Sequence, residues 1–99
     1  MKKIGVLRDG WSKYCGVYEH EGRYFIASPG ESPSLQWEWI GLFRFNNFGH
    51  IVERIPVHRV LTEKLQWTYK NGKQRLFIVD IDHGTLRHWG ARSQEFIRA

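Results

Sequence analysis

Ninety-nine residues make a chain the size of one domain, with room for a single core. A composition of 41% hydrophobic and 25% charged residues is that of an ordinary soluble globule, with no run near the ~18 apolar residues that span a bilayer. The net charge of +5 is uneven, six Lys/Arg against five Asp/Glu in residues 1–50 and nine against five in 51–99, and such a basic excess suits a polyanionic partner as well as a solvated surface.

Met1-Lys2-Lys3 opens like a signal peptide, but Arg8 and Asp9 interrupt the apolar stretch too early. Asp9-Gly10 is a two-residue turn signal that would pair Ile4–Arg8 with Trp11–Tyr18. A further turn at His20-Glu21-Gly22 returns the chain along Arg23–Ser28, making a first three-stranded meander. Cys15 falls in its middle strand. A lone cysteine forms no intramolecular disulfide, and this one is expected as a small buried apolar residue in a reducing, cytoplasmic compartment. Ser28–Ser34 carries two prolines and a glycine in seven residues and is read as a loop.

Leu35–Phe45 alternates as a strand, with Leu35, Trp37, Trp39, Phe43 and Phe45 on one face and Gln36, Glu38 and Arg44 on the other. Gly41 falls on the apolar face, where a missing side chain signals a bulge or bend that lets one long strand serve two parts of a barrel or sandwich. Asn46-Asn47-Phe48-Gly49 turns the chain into His50–Ile55. A short helix is expected at Pro56–Leu65, where Val57, Val60, Leu61 and Leu65 have helical spacing and Pro56 suits a first helical position.

Asn71-Gly72 is a strong hairpin signal and His83-Gly84 a second turn, so Leu65–Trp89 reads as a second three-stranded meander. Residues 90–99 are read as one turn of helix or a loose tail. The tripeptide Leu-Gln-Trp occurs at 35–37 and 65–67, as a hairpin duplication or a coincidence among aromatic-rich strands. The whole predicts an all-β single domain over residues 1–99: a small barrel or sandwich of about eight short antiparallel strands.

A two-residue turn at Asn71-Gly72 sets Lys70 opposite Lys73 and Thr68 opposite Arg75, gathering Lys70, Lys73 and Arg75 at one hairpin tip. Like charges placed opposite one another are mildly destabilising, a reason to expect an anion there, although lysines also guard exposed hairpins against aggregation. Arg54, Arg59, Arg87 and Arg92 would extend this patch, and Tyr69 is the candidate stacking group. Tyr14, Tyr18, Tyr24 and Phe25, near Lys13 and Arg23, are further aromatic candidates.

Asp80, Asp82, His83 and His88 form the one cluster resembling a metal or acid–base site. A turn at His83-Gly84 would oppose Asp80 to Arg87 and Val79 to His88, which splits the cluster between an ion pair, a turn and the reverse face. No glycine-rich phosphate loop is present, and no cofactor is expected. The leading expectation is a non-enzymatic, cytoplasmic binding module for an anionic partner, nucleic acid or a nucleic-acid-handling protein. The alternative is a protein-interaction module, an inhibitor or adaptor of the kind mobile elements encode, acting through an aromatic surface or an exposed strand edge. A metal-dependent hydrolase ranks last.

Overall fold

A computed structural model describes residues 1–9, 14–46, 48, 50–66, 77–82, 86–89 and 93–99, which are mostly antiparallel β with one short helix. The elements are β1 (Lys2–Asp9), β2 (Tyr14–His20), β3 (Arg23–Ala27), β4 (Glu38–Phe45), β5 (Ile51–Pro56), α1 (Val57–Thr62), β6 (Leu65–Gln66), β7 (Phe77–Asp82), β8 (Leu86–Trp89) and β9 (Ser93–Arg98). One sheet runs β6-β9-β1-β2-β3-β4-β7-β8, with β5 paired to β4 beside this path. The small all-β fold expected from the sequence is therefore present, with nine strands among the described residues.

The β1–β2–β3 meander forms, with a corrected first register. Glu21 (φ 51°) and Gly22 (φ 77°) both take positive φ between the paired residues His20 and Arg23, as a type I′ turn requires. The first hairpin does not use a two-residue Asp9-Gly10 turn. Arg8 opposes Tyr14, so five residues separate the paired positions. This register places Leu7 opposite Cys15, both of them buried, whereas the tight turn would have put Leu7 opposite Ser12. Burial of the apolar face overrides the local turn preference.

β4 is the strand on which the sheet changes direction. It pairs with β3 only through Phe25 and Glu38, with β5 from Gly41 to Phe45, and with β7 from Glu38 to Arg44. Opposite β7 the register slips: Trp39 faces Ile81 and Gly41 faces Asp80, so Ile40 is the extra residue of a bulge. Gly41 takes φ 147°, and a Cβ there would overlap the Ile55 carbonyl oxygen. The bulge anticipated at Gly41 is thus found, together with a consequence the alternation missed. One extra residue reverses the faces: Trp39 and Leu42 are buried, while Phe43 lies half-buried on the other side. The strand also begins at Glu38 rather than Leu35. Leu35 and Gln36 form a turn braced by Ser34, whose Oγ accepts from the Gln36 amide at 3.2 Å. Leu35 is exposed and Leu65 buried, so the two Leu-Gln-Trp tripeptides occupy unlike positions.

The core gathers Leu7, Cys15, Val17, Ile26, Trp39, Leu42 and Ile55 from the sheet and Val57 and Val60 from α1. The helix starts after Pro56, whose fixed φ and missing N–H suit a helix entry. It contacts β4, β5 and β9. In a flat sheet β4 and β9 would stand four strand spacings apart, about 19 Å, whereas a helix of six residues is about 9 Å long. Contact with both strands requires the sheet to curl round the helix as half a barrel.

The chain's last segment is a strand, not a helical turn or loose tail. β9 pairs with β1 from Gly5–Arg98 to Asp9–Gln94, and Phe96 packs against the core opposite Leu7. β9 also captures β6, through Leu65–Gln94 and Gln66–Ser93. Of the expected second meander, β7 and β8 pair as its later hairpin, while Leu65 and Gln66, expected as its first strand, pair with β9 at the other end of the strand order. The Asn71-Gly72 turn itself lies outside the described residues. Gln94 is fully buried, and neither of its amide atoms has a hydrogen-bond partner among the described residues.

Two stability predictions follow from this geometry. Gly41→Ala is expected to destabilise the fold by on the order of 3 kcal/mol, through φ strain and overlap with β5, whereas a change under 0.5 kcal/mol in denaturant titration would contradict the bulge. Gln94→Met is expected to stabilise by about 1 kcal/mol, because it replaces two buried polar atoms that have no partner among the described residues with an apolar chain of similar shape. Loss of stability on that substitution would mean the amide is satisfied.

Candidate functional site

Of the residues proposed from sequence for anion binding, Lys70, Lys73, Arg75, Tyr69 and Arg92 lie outside the described residues. Arg87 takes the register position opposite Val79 in β8. This corrects the second turn by one residue: Asp80 opposes Leu86, and His88 opposes Ile78. The anticipated Asp80–Arg87 opposition therefore does not occur. Asp82 stands across from Glu38 in β4, and His83 lies outside the described residues. Among the described residues no three His, Cys, Asp or Glu side chains are grouped to hold a metal ion.

Arg59 is engaged within the fold. Its Nη1 donates to Glu53 Oε2 at 2.6 Å and its Nε to Glu63 Oε2 at 2.9 Å, one helical turn on. Arg44 donates through Nε to the other Glu53 oxygen at 2.9 Å. Glu53 thus joins β4, β5 and α1 through two arginines. Its carboxyl is held below the ordinary value of 4.5, mainly by the Arg59 hydrogen bond, with partial burial opposing and Arg44 adding to the shift. The Arg59 guanidinium is correspondingly shifted up by its bonds to Glu53 and Glu63.

Other arginines are similarly placed. Arg23 grips Glu38 with two donors, Nε to Oε1 at 2.8 Å and Nη2 to Oε2, fastening β3 to the start of β4. Arg8 faces Glu95 across the β1–β9 ladder at 3.5 Å. Among the aromatic candidates, Phe25 is fully buried and Tyr24 packs on the core, while Tyr18 lies over Gly16. Tyr14 remains exposed. Cys15 is buried as expected.

Among the described residues, the most exposed apolar group forms at the β4–β5 hairpin. Asn46 shapes its loop: the Asn46 N–H donates to the His50 carbonyl at 2.9 Å, and Asn46 Oδ1 accepts from the Phe48 and His50 amides, each at 2.9 Å. Phe48 stands on this loop 78% exposed. Past the loop the ladder slips again, with Arg44 opposite Glu53 and Phe45 opposite Ile51, so Val52 is an extra residue on β5. Ile51 and Val52 are consequently 54% and 49% exposed in succession. Arg54 follows opposite Phe43, its guanidinium carbon 5.1 Å from the ring centre. Arg54, read from sequence as an extension of the Lys70, Lys73 and Arg75 patch, belongs to this hairpin. Phe48 was read only as part of a turn. The available signal was the residue type, since a phenylalanine at a hairpin tip has no core within reach.

Comparison of the chain with protein-family profiles, curated proteins and solved structures finds no match in any of the three. No described helix is long and apolar enough to cross a membrane.

The Glu53 linkage generates a pH prediction. A carboxyl whose folded pKa is depressed stabilises the fold above its unfolded value, and that contribution is lost as pH falls through the lowered folded value. Acidification below about 4.5 is expected to lower the melting temperature of the parent chain, with a shallower acid slope in Glu53→Gln. Equal slopes in the two proteins would contradict the linkage.

Proposed function

We propose that this chain is a non-enzymatic, single-domain binding module of the cytoplasm that docks on another protein through the β4–β5 hairpin. The observation that carries the reading is Phe48, 78% exposed on a loop whose backbone is fixed by Asn46, with Ile51 and Val52 exposed just behind it. Large apolar side chains in one short segment bring binding energy when covered and cost solubility when not. The Asn46 side chain already bonds the Phe48 and His50 amides, so these backbone positions lose less entropy on binding. Interface energy concentrates in a few such side chains, so a single aromatic anchor with two aliphatic neighbours suffices for a hot spot.

An anionic partner draws less support. Its proposed tip, Lys70, Lys73 and Arg75, lies outside the described residues. Of its extension, Arg59 is held by two carboxylates and Arg54 lies over Phe43. Arg8, Arg23 and Arg44 likewise face carboxylates within the fold. Much of the basic character of the described residues therefore serves strand-to-strand linkage, and phosphate neutralisation would have to come from elsewhere.

Affinity capture from nuclease-treated lysate, with the parent chain and Phe48→Ala as paired baits, tests the two readings together. The expected result is a protein retained by the parent and weakened by about 2 kcal/mol in the variant, with both baits melting at the same temperature. Phe48-independent binding of labelled DNA or RNA that declines steeply with salt, in the absence of Phe48-dependent protein capture, would replace this reading with the anionic one.

A further inference from the structure

We infer that the outer face of β1 and β2 is a second binding surface, on which single-stranded nucleic acid stacks its bases. Cross-strand register assembles this face. In β2 the side chains of Cys15 and Val17 enter the core, so Tyr14, Gly16 and Tyr18 share the opposite side. Their partners in β1 are Arg8, Val6 and Lys3, and the bulge at Ile4 is what brings Lys3 opposite Tyr18. Each tyrosine therefore has a cation directly across the ladder. Tyr14 is 42% exposed. Tyr18, half-buried, leans along the strand over Gly16, where a Cβ would meet its Cε2 at 2.8 Å and its Oη at 3.1 Å. Glycine leaves the room for this ring to lie down on the sheet. The two tyrosine Cα positions stand about 13 Å apart along the strand, far enough for each ring to take its own base. On β3 the same face closes, with Phe25 and Ala27 buried.

Charge on this face selects the occupant. Lys3 is exposed and makes no ion pair among the described residues. Arg8 meets Glu95 at 3.5 Å with its side chain 44% exposed, and Glu95 is the one carboxylate among the described residues of β9, β1 and β2 on this side. The balance is positive, in a chain of net charge +5. Rings set in register with cations on an exposed sheet surface complement a strand that carries a base and a phosphate at every step. Val6 and Ile97 add aliphatic area that a protein would also cover; the pairing of each ring with a cation is what favours nucleic acid. Because Arg8 already has a carboxylate, stacking rather than phosphate neutralisation supplies most of the affinity. The face shares no residue with the β4–β5 hairpin, so protein docking there and base stacking here can fail independently.

Fluorescence anisotropy of short labelled DNA and RNA single strands of mixed sequence, titrated with the full chain, tests this site. The expected result is saturable binding that weakens about tenfold in Tyr14→Leu and in Tyr18→Leu, weakens several-fold in Lys3→Glu and is unchanged in Phe48→Ala. Tyr14→Phe and Tyr18→Phe are expected to retain most of the affinity, since the ring remains. Contact with one or two phosphates gives a shallow salt dependence, a log–log slope between about −0.7 and −1.4. The same sequence as a duplex is expected to bind about tenfold more weakly or worse, because its bases are not free to stack. Unchanged melting temperatures would assign the losses to the surface rather than to folding. An absence of saturable binding would overturn the inference. Binding that ignores both tyrosines and falls steeply with salt would overturn it in favour of a charge-only site, and binding lost in Phe48→Ala but not in either tyrosine variant would move it to the hairpin. A protein captured by the parent and not by Tyr14→Leu, without oligonucleotide binding, would make this face a protein interface instead.

Discussion

The indole N–H of Trp39 donates to the carbonyl oxygen of Gly41 at 2.8 Å in the buried centre of the fold, and the remaining architecture hangs on that local closure. Gly41 supplies a backbone conformation that a side chain would resist, and Trp39 supplies both the donor and a ring that is almost wholly buried. Burying a large ring is worth about 2–3 kcal/mol, and a buried carbonyl left without its donor would cost about 1–3 kcal/mol. Exposed ion pairs such as Arg8–Glu95 contribute about 0–1 kcal/mol each. The bend is therefore held by core packing and one buried hydrogen bond, with the surface pairs as secondary ties. Because β4 pairs with β3 before the bend and with β5 after it, the same few residues divide the sheet into the meander that carries the core and the hairpin that projects from it.

The arginines show how a basic chain can spend its charge on structure. Arg23 fastens β3 to β4, while Arg44 and Arg59 converge on Glu53 from β4 and α1. Arg23 and Arg59 join elements that main-chain pairing leaves weakly connected, since β3 meets β4 at a single register pair and α1 has no ladder at all, whereas Arg44 meets Glu53 across the β4–β5 ladder itself. The helix is short and lacks a side-chain N-cap, so its apolar face and these guanidinium contacts hold it where the sheet curls. The resulting hairpin has an ordered base and an apolar end, a suitable arrangement for a binding element.

Legibility in the sequence followed the range of the interactions. Local signals were read correctly where one residue type has one mechanical use: the positive φ of Gly22, the break at Gly41, the helical spacing of Val57, Val60 and Leu61, and the loop through Pro29 and Pro33. Registers were misread where a turn signal competed with distant burial, as at Asp9-Gly10, where pairing Leu7 with Cys15 decided the outcome. The face of Leu42 was missed because alternation was carried straight through a bulge that itself reverses it. β9 was missed because Gln94 faces the core and masks the period of Phe96, and the pairing of the strand expected at Leu65 was missed because its partner is that unread strand. For the site, Arg54 was legible as an exposed cation, but its neighbours were not, since Phe43 reaches it only through the reversed face of β4 and a register set by β5.

The most direct measurement of the central claim is hydrogen exchange of the Trp39 indole N–H, followed by NMR in the intact chain. The account predicts exchange as slow as that of the most protected main-chain amides of β1 and β2, together with cross-strand contacts placing Gly41 opposite both Asp80 and Pro56. An indole proton that exchanges as fast as an exposed one, or an unbroken β4–β7 ladder with Ile40 paired in sequence, would contradict it.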